Sequence, residues 1–218
     1  ASHESNYIMS SKTFIDLGVP AKIAAVLSAQ GIDTPFPIQV DSLPDTLAGR
    51  DVLGRGKTGS GKTLAFGIPM VARLAVSSNS NQGMRKPRGL VLAPTRELAT
   101  QITNALQPLA NAMDLRVTTI FGGVPQKKQV QALRDGVEII VATPGRLEDL
   151  MAQGILKLDA IEITVLDEAD HMADLGFLPG VTRILNATPR GGQRLLFSAT
   201  LDNGVKKLVD KFLQNQVM

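Results

Sequence analysis

The sequence predicts an α/β three-layer sandwich, a mostly parallel sheet with helices packed on both faces. Two observations carry that expectation. Six short apolar blocks recur along the chain, each followed by a turn and a stretch with helical spacing of apolar residues: Asp51 to Leu53, Gly89 to Ala93, Arg116 to Phe121, Val137 to Ala142, Ile161 to Leu166 and Arg194 to Ser198. Most of these blocks are nearly all apolar, as strands covered on both faces must be, and parallel neighbours need crossover connections that lay helices over the sheet.

Before the alternation, Phe14 to Gly49 reads as a helical segment flanking the sheet, punctuated by Pro35, Pro37 and Pro44. Pro20 opens an Ala-rich helix that Gly31 closes, Thr95 starts a helix before Arg96-Glu97-Leu98, and Thr143 starts another before Pro144. Ser77 to Arg88, rich in Ser, Asn, Gln and basic residues without an apolar period, is expected to be an exposed loop. Its basic end, Arg85 to Arg88, reads as a solvated charge run. Residues 9–218 form one expected domain. Ala1 to Ile8 precede Met9, which looks like a natural start, and are expected to be a non-native remnant.

The bulk composition narrows the function classes. The chain has 218 residues, 44% hydrophobic and 20% charged, with no apolar run long enough to span a bilayer, so a soluble protein without membrane partners is expected. The absence of cysteine removes disulfides, thiolate metal sites and cysteine nucleophiles, and it fits a reducing, cytoplasmic setting. No signal peptide is readable at the start. A formal charge of +3 with a pI near 9.3 permits a polyanionic partner. His3 and His171 lack metal-site companions.

The strongest motif is Gly56-Lys57-Thr58-Gly59-Ser60-Gly61-Lys62-Thr63, a G-x-x-x-x-G-K-T sequence between an expected strand and an expected helix. Its glycines let successive N–H groups, through Thr58, Gly59, Ser60 and Gly61, curl around phosphate oxygens at a positive helix end. Lys62 would reach the β- and γ-phosphates, and the Thr63 hydroxyl would ligate magnesium. A second strand end presents Asp167-Glu168-Ala169-Asp170. There Asp167 would hold magnesium, directly or through water, and Glu168 would orient and polarise an attacking water. Acids at that position also decorate helix N-termini for purely electrostatic reasons.

Asp167 to Asp170 spells the signature of the DEAD-box RNA helicases, and the chain resembles that family from Phe14 to about Leu213. Pro94-Thr95-Arg96-Glu97-Leu98-Ala99, Gly122-Gly123 and Thr143-Pro144-Gly145-Arg146 are similar to the family's nucleic-acid-contacting motifs. Ser198-Ala199-Thr200 resembles its coupling motif, and Gly31 to Gln39, with Phe14 upstream, resembles its adenine-reading element. Ile32 and Phe36 stand where the family more often has an aromatic and a small hydroxyl residue, and Gly56 replaces its more usual alanine.

The resemblance implies a RecA-like fold that binds ATP or ADP with Mg²⁺. Gln39 would pair with the adenine edge and Phe14 would stack on the base. Pro94, Thr95, Arg96, Gly122, Gly123, Thr143, Gly145 and Arg146 would contact the RNA sugar-phosphate backbone without reading sequence. Thr95 and Thr143 are also plain helix caps. Ser198 and Thr200 would hydrogen-bond Asp170. The family's second RecA-like domain, which carries its arginine motifs, is expected to be missing, leaving a monomeric piece that binds nucleotide but hydrolyses it weakly. The alternatives are a related ATPase acting on DNA and a non-enzymatic RNA-binding fragment.

Overall fold

The computed structural model describes residues 12–55, 61–77 and 86–218. The remnant expected at Ala1 to Ile8, most of the phosphate loop and most of the Ser77 to Arg88 segment lie outside them.

Six strands form one sheet in the order β1-β6-β5-β2-β4-β3, every neighbouring pair parallel. They are β1 (Val52–Gly54), β2 (Gly89–Leu92), β3 (Val117–Ile120), β4 (Ile139–Ala142), β5 (Ile163–Leu166) and β6 (Gln193–Phe197). Each falls within, or one residue from, an apolar block of the sequence. The described helices are α1 (Ala21–Ala29), α2 (Pro37–Leu47), α3 (Lys62–Val76), α4 (Arg96–Ala112), α5 (Lys127–Asp135), α6 (Pro144–Ala152), α7 (Ala169–Asp174), α8 (Leu178–Asn186) and α9 (Val205–Phe212).

Side-chain alternation along the strands explains why they are apolar throughout. Val91 of β2 and Ile139 and Val141 of β4 enter one core, with Ile23, Leu27, Phe66, Ile68, Ile102 and Leu106 from α1, α3 and α4. Leu90 and Leu92 of β2 and Ile140 of β4 enter the other, with Leu147, Leu150, Met172, Val181, Ile184 and Leu208 from α6 to α9. Helices α1 to α4 therefore cover one face and α5 to α9 the other. The edge strand β3 is more polar, and Thr119 spends its hydroxyl on Thr103 of α4 at 2.8 Å.

Two local expectations are corrected. Pro44 does not punctuate the N-terminal segment; it lies inside α2, which runs on to Leu47. Burial of Leu43 and Thr46 outweighs the single hydrogen bond that proline removes. In the basic run, Lys86 pairs with Asp159 at 3.0 Å and Arg88 with Glu162 at 3.1 Å, so these cations are tied to the protein's own acids at the amino end of the strands. At the opposite margin of the sheet, Val217 bridges Val52, the Leu53 N–H donating to the Val217 carbonyl at 2.9 Å. That short segment covers part of the exposed β1 edge. Among the described residues no helix is long and apolar enough to cross a membrane.

Candidate functional site

The carboxyl ends of all six strands lead into residues singled out in the sequence, at the end of the sheet where loops converge in parallel α/β proteins. Strand order divides them into two groups. β1, β6 and β5 lead toward Gly61 to Thr63, Ser198 to Thr200 and Asp167 to Asp170, while β2, β4 and β3 bring together Pro94 to Arg96, Thr143 to Arg146 and Gly122-Gly123. The β5–β2 pair is the seam between the groups.

In the first group Thr58, Gly59 and Ser60 fall outside the described residues; Gly61, Lys62 and Thr63 open α3. Gly61 takes φ 79°, and a Cβ there would lie 2.5 Å from Gln39 Nε2 and 2.6 Å from the Phe36 ring, so only glycine fits. Lys62 is buried, its Nζ 2.8 Å from Oδ1 of the fully buried Asp167. That contact is an ion pair, and among the described residues no well-aligned hydrogen bond reaches either Asp167 oxygen. Burial lifts the Asp167 carboxyl above the ordinary carboxylate range, Lys62 opposes the rise, and the neighbouring charge of Glu168 adds to it.

A buried carboxylate short of donors, in contact with Lys62 and so brought to the head of α3 where the half-buried Thr63 follows, suits a hard cation. Among the described residues no cluster of three His, Asp or Glu could hold a metal alone. The donor set of Asp167 and the Thr63 hydroxyl is one magnesium can use, since that ion takes one or two carboxylates and completes its shell with phosphate oxygens and waters. Glu168 stands in the left-handed region at φ 51° and ψ 54°, a conformation costing a non-glycine residue about 1–2 kcal/mol. This strain turns the chain sharply between β5 and α7, where the acids of Asp167 to Asp170 lie. His171 Nδ1 lies 4.0 Å from Glu168 Oε2.

The adenine-reading residues are placed less simply. Gln39 is fully buried; its Nε2 donates to the Gly61 carbonyl at 2.9 Å and its Oε1 accepts the Phe36 N–H at 3.0 Å. It thus ties the start of α2 to the phosphate loop. Phe14 is only 3% exposed and belongs to the core, with no open ring face. The accessible ring is that of Phe36, 51% exposed and packed against Gly61.

Ser198 meets Asp170 as expected, though through the backbone: its Oγ accepts the Asp170 N–H at 3.1 Å and donates to the Thr200 carbonyl. The Thr200 hydroxyl turns to the Asp202 N–H at 3.5 Å instead, because the chain doubles back there through Asn203 at φ 57°. Asn203 in turn donates to Asp174 at 3.2 Å, so the loop after β6 is tied to both ends of α7.

In the second group Pro94, Arg96, Gly122, Gly123, Thr143, Gly145 and Arg146 line one open groove of about 500 Å³. Thr95 caps α4, its Oγ1 accepting the Leu98 N–H at 3.2 Å, whereas the Thr143 hydroxyl makes no capping bond to α6. Arg96 lies 4.7 Å above the Phe121 ring, beside Gly123 at φ 81°. Arg146 donates to the Val124 carbonyl at 2.7 Å and to Gln129 Oε1 at 3.2 Å. The residues that hold these arginines, Phe121 and Gln129, were not found from the sequence. Phe121 sits beside Gly122-Gly123, a usable signal; Gln129 gave none.

Comparisons with known proteins agree with this arrangement. The sequence profile of the DEAD/DEAH box helicase family matches residues 36–208. The chain is 44% identical over 207 residues to the ATP-dependent RNA helicase RhlB of Pasteurella multocida (strain Pm70), covering 94% of this chain and 48% of that protein. It is 42% identical over 201 residues to the mitochondrial DEAD-box ATP-dependent RNA helicase 9 of Arabidopsis thaliana, covering 92% and 32%. A crystal structure of a DEAD box protein from the hyperthermophile Methanococcus jannaschii superposes with a TM-score of 0.85 at 33% identity, covering 94% of this chain and 55% of that one. The chain spans about a third of one of these two curated relatives and about half of the other. With its all-parallel RecA-like sheet and its motifs at the six strand ends, the chain belongs to the DEAD/DEAH box helicase family.

Proposed function

We propose that the chain is the ATP-binding motor domain of an ATP-dependent RNA helicase whose complete form couples ATP hydrolysis to local opening of RNA duplexes or remodelling of RNA–protein complexes. The observation that carries this reading is the buried Lys62–Asp167 pair, in which Asp167 follows β5, the strand whose two neighbours lead to the coupling loop and to the arginine groove.

In this mechanism Lys62 leaves Asp167 for the β- and γ-phosphates, while N–H groups from Thr58 to Gly61 cradle the phosphate oxygens. The Thr63 hydroxyl and Asp167, directly or through water, would hold magnesium, which would supply neutralisation of the phosphate charge. Glu168 orients the attacking water and takes its proton. Gln39 pairs with the adenine edge, and its bond to Gly61 links the base to the phosphate loop. The Asp170–Ser198 bond passes the state of the site to the loop after β6. Arg96, Arg146, Gly123 and the start of α6 grip the RNA backbone, giving sequence-independent, salt-sensitive binding.

Phosphoryl transfer commonly gains ~10³ or more in rate from an arginine on a facing element. In this reading those arginines lie on a second RecA-like domain, for which the greater length of the relatives leaves room. This chain alone is then a monomer that binds nucleotide with little or no ATPase activity and does not unwind RNA; the complete protein works in the cytoplasm.

The test is titration of the chain with a fluorescent adenine nucleotide in magnesium, beside Lys62→Ala and a guanine competitor. Saturable binding, lost with Lys62→Ala and not competed by guanine, supports the reading. Guanine competition or indifference to Lys62→Ala refutes it, and robust RNA-stimulated turnover by the chain refutes the need for a second domain.

A further inference from the structure

We propose that Arg183 of α8 is a further backbone-phosphate contact in the RNA groove, positioned by Glu148 of α6; this rests on the RNA-binding reading above. Arg183 and Glu148 line the same groove as Arg96, Gly123, Thr143 and Arg146, although neither lies in a recognised motif.

The geometry is that of a held cation. Arg183 Nε donates to Glu148 Oε2 at 2.7 Å and Nη2 donates to Oε1 at 3.1 Å, a two-pronged pair that fixes the plane of the guanidinium. The carboxylate reaches it over Gly180, one turn earlier on α8, where a Cβ would overlap Glu148 Oε1. The pair raises the Arg183 pKa further, so its charge is permanent.

What remains unused points to a ligand. A guanidinium has five N–H donors, and Glu148 takes two of them. Nη1 has no partner among the described residues, and the side chain is 65% exposed. The other two groove arginines follow the same plan, held from behind by the Phe121 ring and by the Val124 carbonyl with Gln129. Three arginines held separately on α4, α6 and α8 form a track for successive phosphates, and the bidentate fit of guanidinium to phosphate suits the free edge of Arg183. Phosphate contacts of this kind fix register without reading bases.

The experiment is fluorescence anisotropy of the full 218-residue chain with a labelled single-stranded RNA homopolymer, repeated between about 50 and 200 mM salt, where each phosphate contact contributes ~0.7 to the slope of log affinity against log salt. Arg183→Gln is expected to lower the slope by about 0.7, and Arg183→Lys to restore most of it, because a flexible point charge still reaches a phosphate. Arg190→Gln, which removes an exposed charge near the amino end of β6, is expected to leave the slope unchanged. Thermal unfolding of Arg183→Gln shows whether the fold is intact, and Arg183→Lys tests the same charge if it is not. An Arg183→Gln slope equal to that of Arg190→Gln, with Arg146→Gln still lowering it, overturns the assignment and leaves Arg183 as a tie between helices. Absence of RNA binding by the wild-type chain at low salt overturns the RNA reading itself, and this inference with it.

Discussion

Replacing Gln39 by Leu removes an amide while keeping a side chain of similar volume, so the loss reports on hydrogen bonds more than on a cavity. Two groups lose their partner: the Phe36 N–H, which gives up a 3.0 Å bond, and the Gly61 carbonyl, which gives up one of 2.9 Å. An unsatisfied buried polar group costs about 1–3 kcal/mol, and both of these lie near the domain surface, so about 1 kcal/mol each is expected. The sum of about 2 kcal/mol corresponds to a fall in Tm of roughly 4–8 °C for a chain of this size. Differential scanning calorimetry without nucleotide measures it directly. Adenine nucleotide affinity should fall as well, because Gly61 no longer has its anchor. A Tm within about 1 °C of wild type in the absence of nucleotide refutes the reasoning, since each kcal/mol is worth about 2–4 °C. Gln39 would then be a nucleotide contact only.

Three further outcomes are expected. Gly61→Ala forces a Cβ against the Gln39 amide and the Phe36 ring at positive φ, so it should destabilise the chain by more than about 1 kcal/mol in urea unfolding and weaken nucleotide binding more than Gln39→Leu does. Burial raises the folded-state pKa of Asp167, so its contribution to stability is present at low pH and is lost as pH rises through that value. Binding of magnesium must expel the same proton, so Mg-nucleotide affinity should fall on acidification, starting above the ordinary carboxylate pKa of about 3.9. Titrations across pH check this, and Asp167→Asn should flatten the dependence. Arg194→Met removes a buried guanidinium that donates to the Phe212 carbonyl at 3.1 Å and to Thr188 Oγ1 at 3.0 Å; a loss of about 3 kcal/mol in urea is expected, with nucleotide specificity retained.

The sheet was legible because burial on both faces leaves no alternative composition for its strands: Val91 and Leu92 point to opposite sides and both meet a core. The clustering of the candidate site was legible because the G-x-x-x-x-G-K-T pattern and Asp167-Glu168 both follow expected strands, and the structure brings Lys62 and Asp167 together. Roles that depend on which neighbour arrives from far along the chain were not. Phe14 and Phe36 are both aromatic, and only packing reveals that the first is core and the second exposed. Arg146 announces itself within Thr143-Pro144-Gly145-Arg146, but nothing in the sequence pairs it with Gln129 or pairs Glu148 with Arg183. Pro44 misled because a local breaker signal was set against burial that the sequence does not display.

The strand order also dictates when the nucleotide site can exist. β1, which leads into the phosphate loop, pairs with β6 and only the short bridge at Val217, and the Asp51 carboxylate that anchors it accepts the N–H groups of Arg194 and Gln214, 143 and 163 residues further on. Closing loops of that length late makes this pairing the slow, non-local step of assembly. During synthesis the arginine groove on β2, β4 and β3 can form while β1 still waits for its partner. A nascent chain should therefore hold the arginine groove before β1 and the start of α3 are fixed beside β6.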